Sequence, residues 1–367
     1  MMGLKEIQRR KFQFALIALV VALISYLVLM INGLGIGLNE QAGSALRKLD
    51  ADALAYAKSS DLSVIRSELS AETIDELSRL DGVSGSAPLG YVGVNTRDPE
   101  GAITPAALLG YEPGSLAEPQ VTGGRTLTVG DRRELLADAA FLKASGLSVG
   151  DGVVVPSRLK DFEFTIVGEV DEGYFFFQPV VYVLLDSWRE VKYGSADPSL
   201  PAASIALLKG RDLVGRATDS YEVVSKGTAF ANIEGVQGQQ ATVNALRAFG
   251  FLIGGLVIGI FFYVLTMQKV AQIGLLKALG AGSAYIFRQL LMQVLTVTVL
   301  GVAVSVPLAY ATGAALGRLP RTVPIAFTGD TFVVTSLLLV AAGIIGALFS
   351  VRQLARVDPI IALGQQQ

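Results

Sequence analysis

Four runs without a charged side chain divide this chain of 367 residues: 12–38, 248–268, 289–317 and 331–351. About 20 apolar residues in a helix cross the hydrocarbon core of a bilayer. Only helices or closed barrels, whose backbone groups are all paired internally, survive there. The pattern predicts four transmembrane helices, with one long polar stretch, 39–247, between the first and the second. Gly33, Gly35, Gly254, Gly255 and Pro307 interrupt the runs, which membrane helices tolerate and which lets neighbours approach closely. Residues 12–38 exceed the roughly 7–15 apolar residues of a secretory leader, and no small-x-small cleavage site follows them. With 51% hydrophobic and 17% charged residues, the composition falls on the membrane side of the globular average.

Basic residues in the short flanks give an orientation. Lys5, Arg9, Arg10 and Lys11 precede the first run, opposed by Glu6 alone. Lys269, Lys277 and Arg288 lie between the second and third with no acid, and Arg352 and Arg356 follow the fourth, against Asp358. Both termini and the connection near 269–288 are therefore expected in the cytoplasm, with 39–247 and the short loop 318–330 outside. Residues 39–247 carry 19 Lys and Arg against 29 Asp and Glu; the rest of the chain carries 11 against 3. An acidic exterior argues against nucleic acid as a partner.

Cysteine and histidine are both absent. That removes disulfides, thiolate metal sites and the usual neutral-pH proton carrier, and with them the zinc hydrolases and the Ser-His-Asp enzymes. No G-x-x-x-x-G-K-[ST] loop occurs either, so the chain has no phosphate cradle of its own. Adjacent acids such as Asp75 and Glu76, or Asp171 and Glu172, lack a partnered nucleophile. The expectation is a protein that is not itself an enzyme and binds no metal or cofactor directly.

The polar stretch is long enough to bury its own core and reads as an α+β domain. The spacing of Leu69, Ile74, Leu77 and Leu80 predicts a helix within 61–80, with Ser70 as N-cap and Gly82 as its stop. Residues 83–94, 103–109, 153–155, 162–170 and 180–185 read as strands, and 134–144 as a short helix. Residues 225–240, rich in Gly, Gln and Asn, read as a hinge or as the first turns of the next helix. Tyr174, Phe175, Phe176 and Phe177 form either a hydrophobic tip or a buried contact.

Between the second and third runs stands Gln272-Ile273-Gly274-Leu275-Leu276-Lys277-Ala278-Leu279-Gly280-Ala281. Its apolar residues recur at helical spacing, and Gly280 supplies a left-handed stop. By physics alone this is either a helix seated in a partner's groove or an ordinary interfacial helix. The segment resembles the E-I-G-x-x-[RK]-A-[LI]-G-A signature of FtsX/MacB-type ABC transporter permeases, with Gln272 where that family usually carries Glu. The tail from Ala355 to Leu363 is similar to the family's A-x-x-x-P-x-x-A-L ending. The order of one span, an outer domain and three spans is also the family's, so the resemblance covers nearly the whole chain. The outer domain's length is that of the MacB, DevC and haem-exporter branches.

What the resemblance implies is a permease subunit in the bacterial inner membrane. ATP and Mg would act through a separate ABC ATP-binding subunit, and four spans would make half of a homodimer. Gln272, Ile273, Gly274, Leu276, Lys277, Ala278, Leu279 and Gly280 would form the coupling helix on that ATPase. The cargo would be a hydrophobic or amphipathic compound such as haem, a lipid or a drug, exported or extracted. Without His or Cys, haem iron would need an oxygen or thioether ligand; Met30, Asn32 and Glu40, near the outer end of the first span, are the candidate substrate contacts. The alternatives are an FtsX-like module that activates an outer cell-wall hydrolase, and a lipoprotein- or glycolipid-releasing device.

Overall fold

The computed structural model describes residues 11–157, 160–268, 275, 282–317 and 323–354. They form two compact units, one of residues up to Gly37 and from Gln240 onward, the other Leu38–Gln239.

Helix α1, Lys11–Lys48, opens the chain and continues through Leu38 into the second unit. Gly43 leaves the helical φ/ψ region. The carbonyls of Gln41 and Ala42, loosened at that kink, accept from Phe177 N–H at 2.8 Å and Phe176 N–H at 3.0 Å. Ser44 Oγ accepts from Tyr174 N–H at 2.9 Å. Phe175 is buried, and Phe175 and Phe176 pack on Tyr91 with ring centroids 5.2 and 5.0 Å away. The aromatic run is thus mainly a dock for the end of α1, with Phe177 left partly open.

The second unit continues with β1 (Ala53–Ala57), α2 (Ala71–Ser78), β2 (Val83–Arg97), β3 (Ile103–Tyr111), β4 (Val121–Gly124) and β5 (Glu134–Asp138). Then come α3 (Ala139–Ser145), β6 (Gly152–Val155), β7 (Phe162–Val170), β8 (Tyr174–Phe175), β9 (Gln178–Leu184) and α4 (Leu185–Tyr193). It closes with β10 (Ile205–Gly210), β11 (Tyr221–Ser225) and α5 (Lys226–Ala231). Among the described residues the strands run β11-β1-β10-β2-β3-β9-β5-β7-β4, with β6 on β2 and β7, and β8 on β9. The long β2 serves two neighbours: residues 83–89 pair with β10, and 90–97 with β3. Most contacts are antiparallel, but β3–β9 and β5–β7 are parallel, so the domain is α+β.

Two local readings are corrected. The helix within 61–80 is only Ala71–Ser78; Ser70 caps it, its Oγ accepting from Thr73 N–H at 3.1 Å. Asp61 and Leu62 have φ of 53° and 58°, which end any helical run before it. The helix over 134–144 is instead strand β5 followed by α3. β5 pairs with β7 and β9 along its edges, and its side chains are buried on both faces, Leu136 in one core and Leu135 and Ala137 in the other; a strand covered on both faces is as uniformly apolar as a buried helix. Residues 225–240 hold α5 and the start of the next helix rather than an open hinge.

The first unit contains α1 with α6 (Val236–Met267), α7 (Ser283–Leu316) and α8 (Gly329–Leu354). All four are long and apolar enough to cross a membrane. Large apolar side chains such as Phe14, Ile17, Ile258 and Phe262 pack between them, and several of the tightest contacts fall on small residues, as expected where lipid offers no hydrophobic drive. Gly250 and Gly254 of α6 face Val28 and Ile24 of α1, and Gly301 of α7 faces Val21. Gly346 of α8 lies so close to α6 that a Cβ there would fall on the Gly255 carbonyl. Gly346→Leu is therefore expected to push α6 and α8 apart and destabilise the bundle by about 1–3 kcal/mol, the usual cost of overpacking. A lower thermal midpoint of the detergent-solubilised chain checks this; an unchanged midpoint contradicts it.

Candidate functional site

The faces of α1 separate two of the sequence-predicted contacts. Phe12, Leu16, Leu19, Leu23 and Leu27 form an uncovered stripe within the unit, and Met30, half-buried, continues it at helical spacing. Asn32 points the other way: it is buried, and its Nδ2 donates to Thr335 Oγ1 of α8 at 3.2 Å. A side-chain amide paired across two membrane helices acts as polar glue. Tyr26 makes a similar bond, its hydroxyl donating to Thr312 Oγ1 of α7 at 3.2 Å. Glu40 lies on the second-unit part of α1, exposed, in an ion pair with Arg47 at 2.9 Å. The structure does not gather Met30, Asn32 and Glu40 into one cluster.

The C-terminal end of the first-unit part of α1 is closely walled. The Ala326 N–H donates to the Gly33 carbonyl at 3.1 Å, and a Cβ on Gly37 would run into the Pro324 backbone. The Arg247 guanidinium lies over Gly35, where a Cβ would come within 2.6 Å of its Nη2. Its Nη1 reaches Asn244 Oδ1 at 3.4 Å, while its Nε is buried without a partner among the described residues. Sequence reasoning missed Arg247. Its signal was position: it is the last charge before the run 248–268, where a cation carries a large desolvation cost and is seldom idle.

The residues assigned to the coupling helix, Gln272, Ile273, Gly274, Leu276, Lys277, Ala278, Leu279 and Gly280, lie outside the described residues. Leu275, within that segment, is helical and exposed. Among the described residues, no group of three His, Cys, Asp or Glu could hold a metal ion.

In the unit Leu38–Gln239, Asp138 is a carboxylate with three backbone hydrogen bonds. It is buried; Oδ1 caps α3 by accepting from Ala140 N–H at 2.7 Å, and Oδ2 accepts from Glu172 and Gly173 N–H, both at 2.6 Å. It thus fixes the loop that carries Asp171 and Glu172. Asp138→Ala leaves three donors unmade at roughly 1–3 kcal/mol each. A loss of about 3 kcal/mol or more is expected, read from the urea midpoint of the full chain by circular dichroism.

Burial raises the Asp138 and Glu172 carboxyls above their ordinary range. The folded state then holds these protons more tightly than the unfolded chain. Their contribution to stability is complete below the unfolded value and is lost as pH rises through the folded one. Glu172→Gln is accordingly expected to flatten the fall in stability as pH rises above about 4; an unchanged profile contradicts the assignment.

Four apolar helices, with an α+β domain inserted after the first, define a multi-pass membrane protein. Residues 244–359 match the family described as FtsX-like permease C-terminal. The chain is 24% identical to HrtB of Staphylococcus haemolyticus (strain JCSC1435), provisionally named a hemin transport system permease protein, over 98% of each chain. It is also 24% identical to the macrolide export ATP-binding/permease protein MacB of Shewanella sp. (strain ANA-3), over 46% of this chain and 26% of that protein. Among solved structures, the extracellular domain of the noncanonic ABC-type transporter YknZ from Gram-positive bacteria matches 48% of this chain and all of its own, at 19% identity and a TM-score of 0.36. These likenesses support an ABC transporter permease of the FtsX/MacB type. That type implies an ATP-binding subunit as partner.

Proposed function

We propose that this chain is the permease half of an exporter for a hydrophobic or amphipathic compound, haem first among the candidates. The observation that carries the reading is the likeness to a hemin-transport permease along 98% of both chains, joined to the family match over 244–359. The energy comes from ATP and Mg bound by a separate subunit, since the sequence has no phosphate loop. Two copies form the transporter, and the uncovered stripe of α1 from Phe12 to Leu27 supports a face for the second copy. Both termini and the coupling helix lie in the cytoplasm of a bacterial cell, with Leu38–Gln239 outside.

For haem, Met30 offers a thioether on that stripe, and Arg247 a cation near the outer end for a carboxylate of the cargo. Asn32, tied to Thr335, supports the helix contact rather than the cargo. Glu40 would first have to leave Arg47.

The test is co-purification in nanodiscs with the ATP-binding protein encoded beside it, followed by ATPase assays with hemin, lipids and drug-like compounds. A two-plus-two complex stimulated by hemin, and less so in Met30→Ala or Arg247→Ala, is the expected result. A stable complex indifferent to every compound would overturn export and favour a signalling module acting on a cell-wall hydrolase. No complex would overturn the permease reading altogether.

A further inference from the structure

Tyr56 is a buried donor that the fold leaves unused. It lies on β1, fully buried, and its hydroxyl has no hydrogen-bond partner among the described residues. Such a group costs free energy that an acceptor within reach would recover. Tyr56 belongs to the larger core of the second unit, and so does Tyr91 on β2. Strand β10 lies between them, pairing with β1 on one edge and with β2 on the other.

An acceptor stands over that core. Residues 232–235 join α5 to α6. Ile233 and Val236 are buried in the same core, together with Ala42, Ala45 and Leu46 of α1. Glu234 falls between them; it is exposed, and its carboxylate accepts from Ser63 Oγ. Ser63 belongs to the segment after β1, which folds back on the end of that strand. The Ala57 N–H donates to Ser67 Oγ at 2.9 Å, and Ser60 Oγ to the Ala57 carbonyl at 2.7 Å. One short stretch of chain thus presents two buried donors, Ser63 in use and Tyr56 not. Burial first and the Glu234 carboxylate second push both tyrosine hydroxyls up, that of Tyr91 to about 12. Both therefore stay protonated as donors, and both feel the same carboxylate.

We propose that the link 232–235 has two seats: in the one seen here Glu234 accepts from Ser63, and in the other the link moves into the core and Glu234 accepts from Tyr56. A hydroxyl bonded to a carboxylate makes a charge-assisted bond, which offsets the water that the carboxylate gives up. The two seats use the same kind of bond, so neither excludes the other by a large margin, as a bistable element requires. Ile233 and Val236 carry the shift. They share their core with Ala42, Ala45 and Leu46, so the seat of Glu234 sets the packing of the ends of α6 and α1 within this unit.

The proposal rests on no cargo, and its test needs no ATP-binding subunit. Hydrogen exchange of amides 232–236 reads the local opening of the link in the full chain in detergent. Four proteins are compared: the parent, Tyr56→Phe, Ser63→Ala and the double variant. Tyr56→Phe alone is expected to leave exchange unchanged, because the hydroxyl makes no bond in the first seat. Ser63→Ala alone should speed it only a few-fold, because Glu234 moves to the second. In the Ser63→Ala background, Tyr56→Phe should speed exchange about tenfold, the loss of one charge-assisted bond. Glu234→Gln should remove most of that difference between backgrounds. Emission of the buried Trp188 reports whether each variant is folded. An equal effect of Tyr56→Phe with Ser63 present or replaced, or no effect in either background, would overturn the second seat.

Discussion

Ala278→Asp is expected to abolish association with the ATP-binding subunit and the ATPase activity that depends on it. The proposed coupling helix sets small and apolar side chains against a protein groove, and Ala278 stands in the middle of the signature segment. A carboxylate forced into such a contact loses its water without gaining a cation. Penalties of about 2–5 kcal/mol for an unpaired interfacial charge correspond to a loss of affinity of at least ~30-fold. The check is co-purification with the ATP-binding subunit and the ATPase rate of whatever complex remains. Ala278→Ser, nearly isosteric and uncharged, should keep both. An aspartate variant that co-purifies and hydrolyses ATP normally would show that the segment does not seat on the motor.

The second large effect belongs to the α+β domain inserted after the first helix. Trp188, the only tryptophan in the chain, is fully buried on α4. It lies over Gly90 and Gly110, which face each other in the β2–β3 register. A Cβ on Gly110 would come within 2.8 Å of the Trp188 ring, and one on Gly90 within 2.5 Å, so the two glycines form the seat of the indole. Lys192 crosses above it, 5.3 Å from the ring. Trp188→Ala opens a cavity that the glycines cannot fill, at a cost of about 3–5 kcal/mol. The midpoint of urea unfolding followed by far-ultraviolet circular dichroism should fall accordingly. A change below about 1 kcal/mol would mean that the seat collapses onto the smaller side chain.

The local signals that worked were those with a short-range physical cause. Ser70 is the N-cap expected of it, because capping needs only an oxygen within reach of an amide three residues on. The alternating residues of β7 lie alternately buried and exposed, because a strand turns successive side chains to opposite faces. The signals that failed had a distant cause. Residues 134–138 read as helix because nothing within them announces that β7 and β9 will pair along both edges while separate cores bury Leu136 on one face and Leu135 and Ala137 on the other. The short strands β1, β10 and β11 passed unread for the same reason: β1 is paired with segments about 150–170 residues away. Met30, Asn32 and Glu40 were grouped by proximity along one helix, yet a helix directs neighbouring positions to different sides. Asn32 therefore meets Thr335, while Met30 stays with the open stripe.

By itself the sequence determined that there are four apolar helices with a polar domain after the first, and that the chain carries no phosphate loop. Those conclusions need no tertiary contact. A hydrocarbon core excludes charge wherever the rest of the chain goes, and a phosphate cradle is a local run of residues. Only the tertiary structure decided which polar groups meet. Lys48, Glu118, Glu172 and Tyr182 come from the end of one helix, two loops and a central strand, and share a cleft because the strand order brings β9 and the loop after β7 beside the end of α1. Arg247 lies over Gly35 because two helices more than 200 residues apart in sequence pack through a position without a side chain.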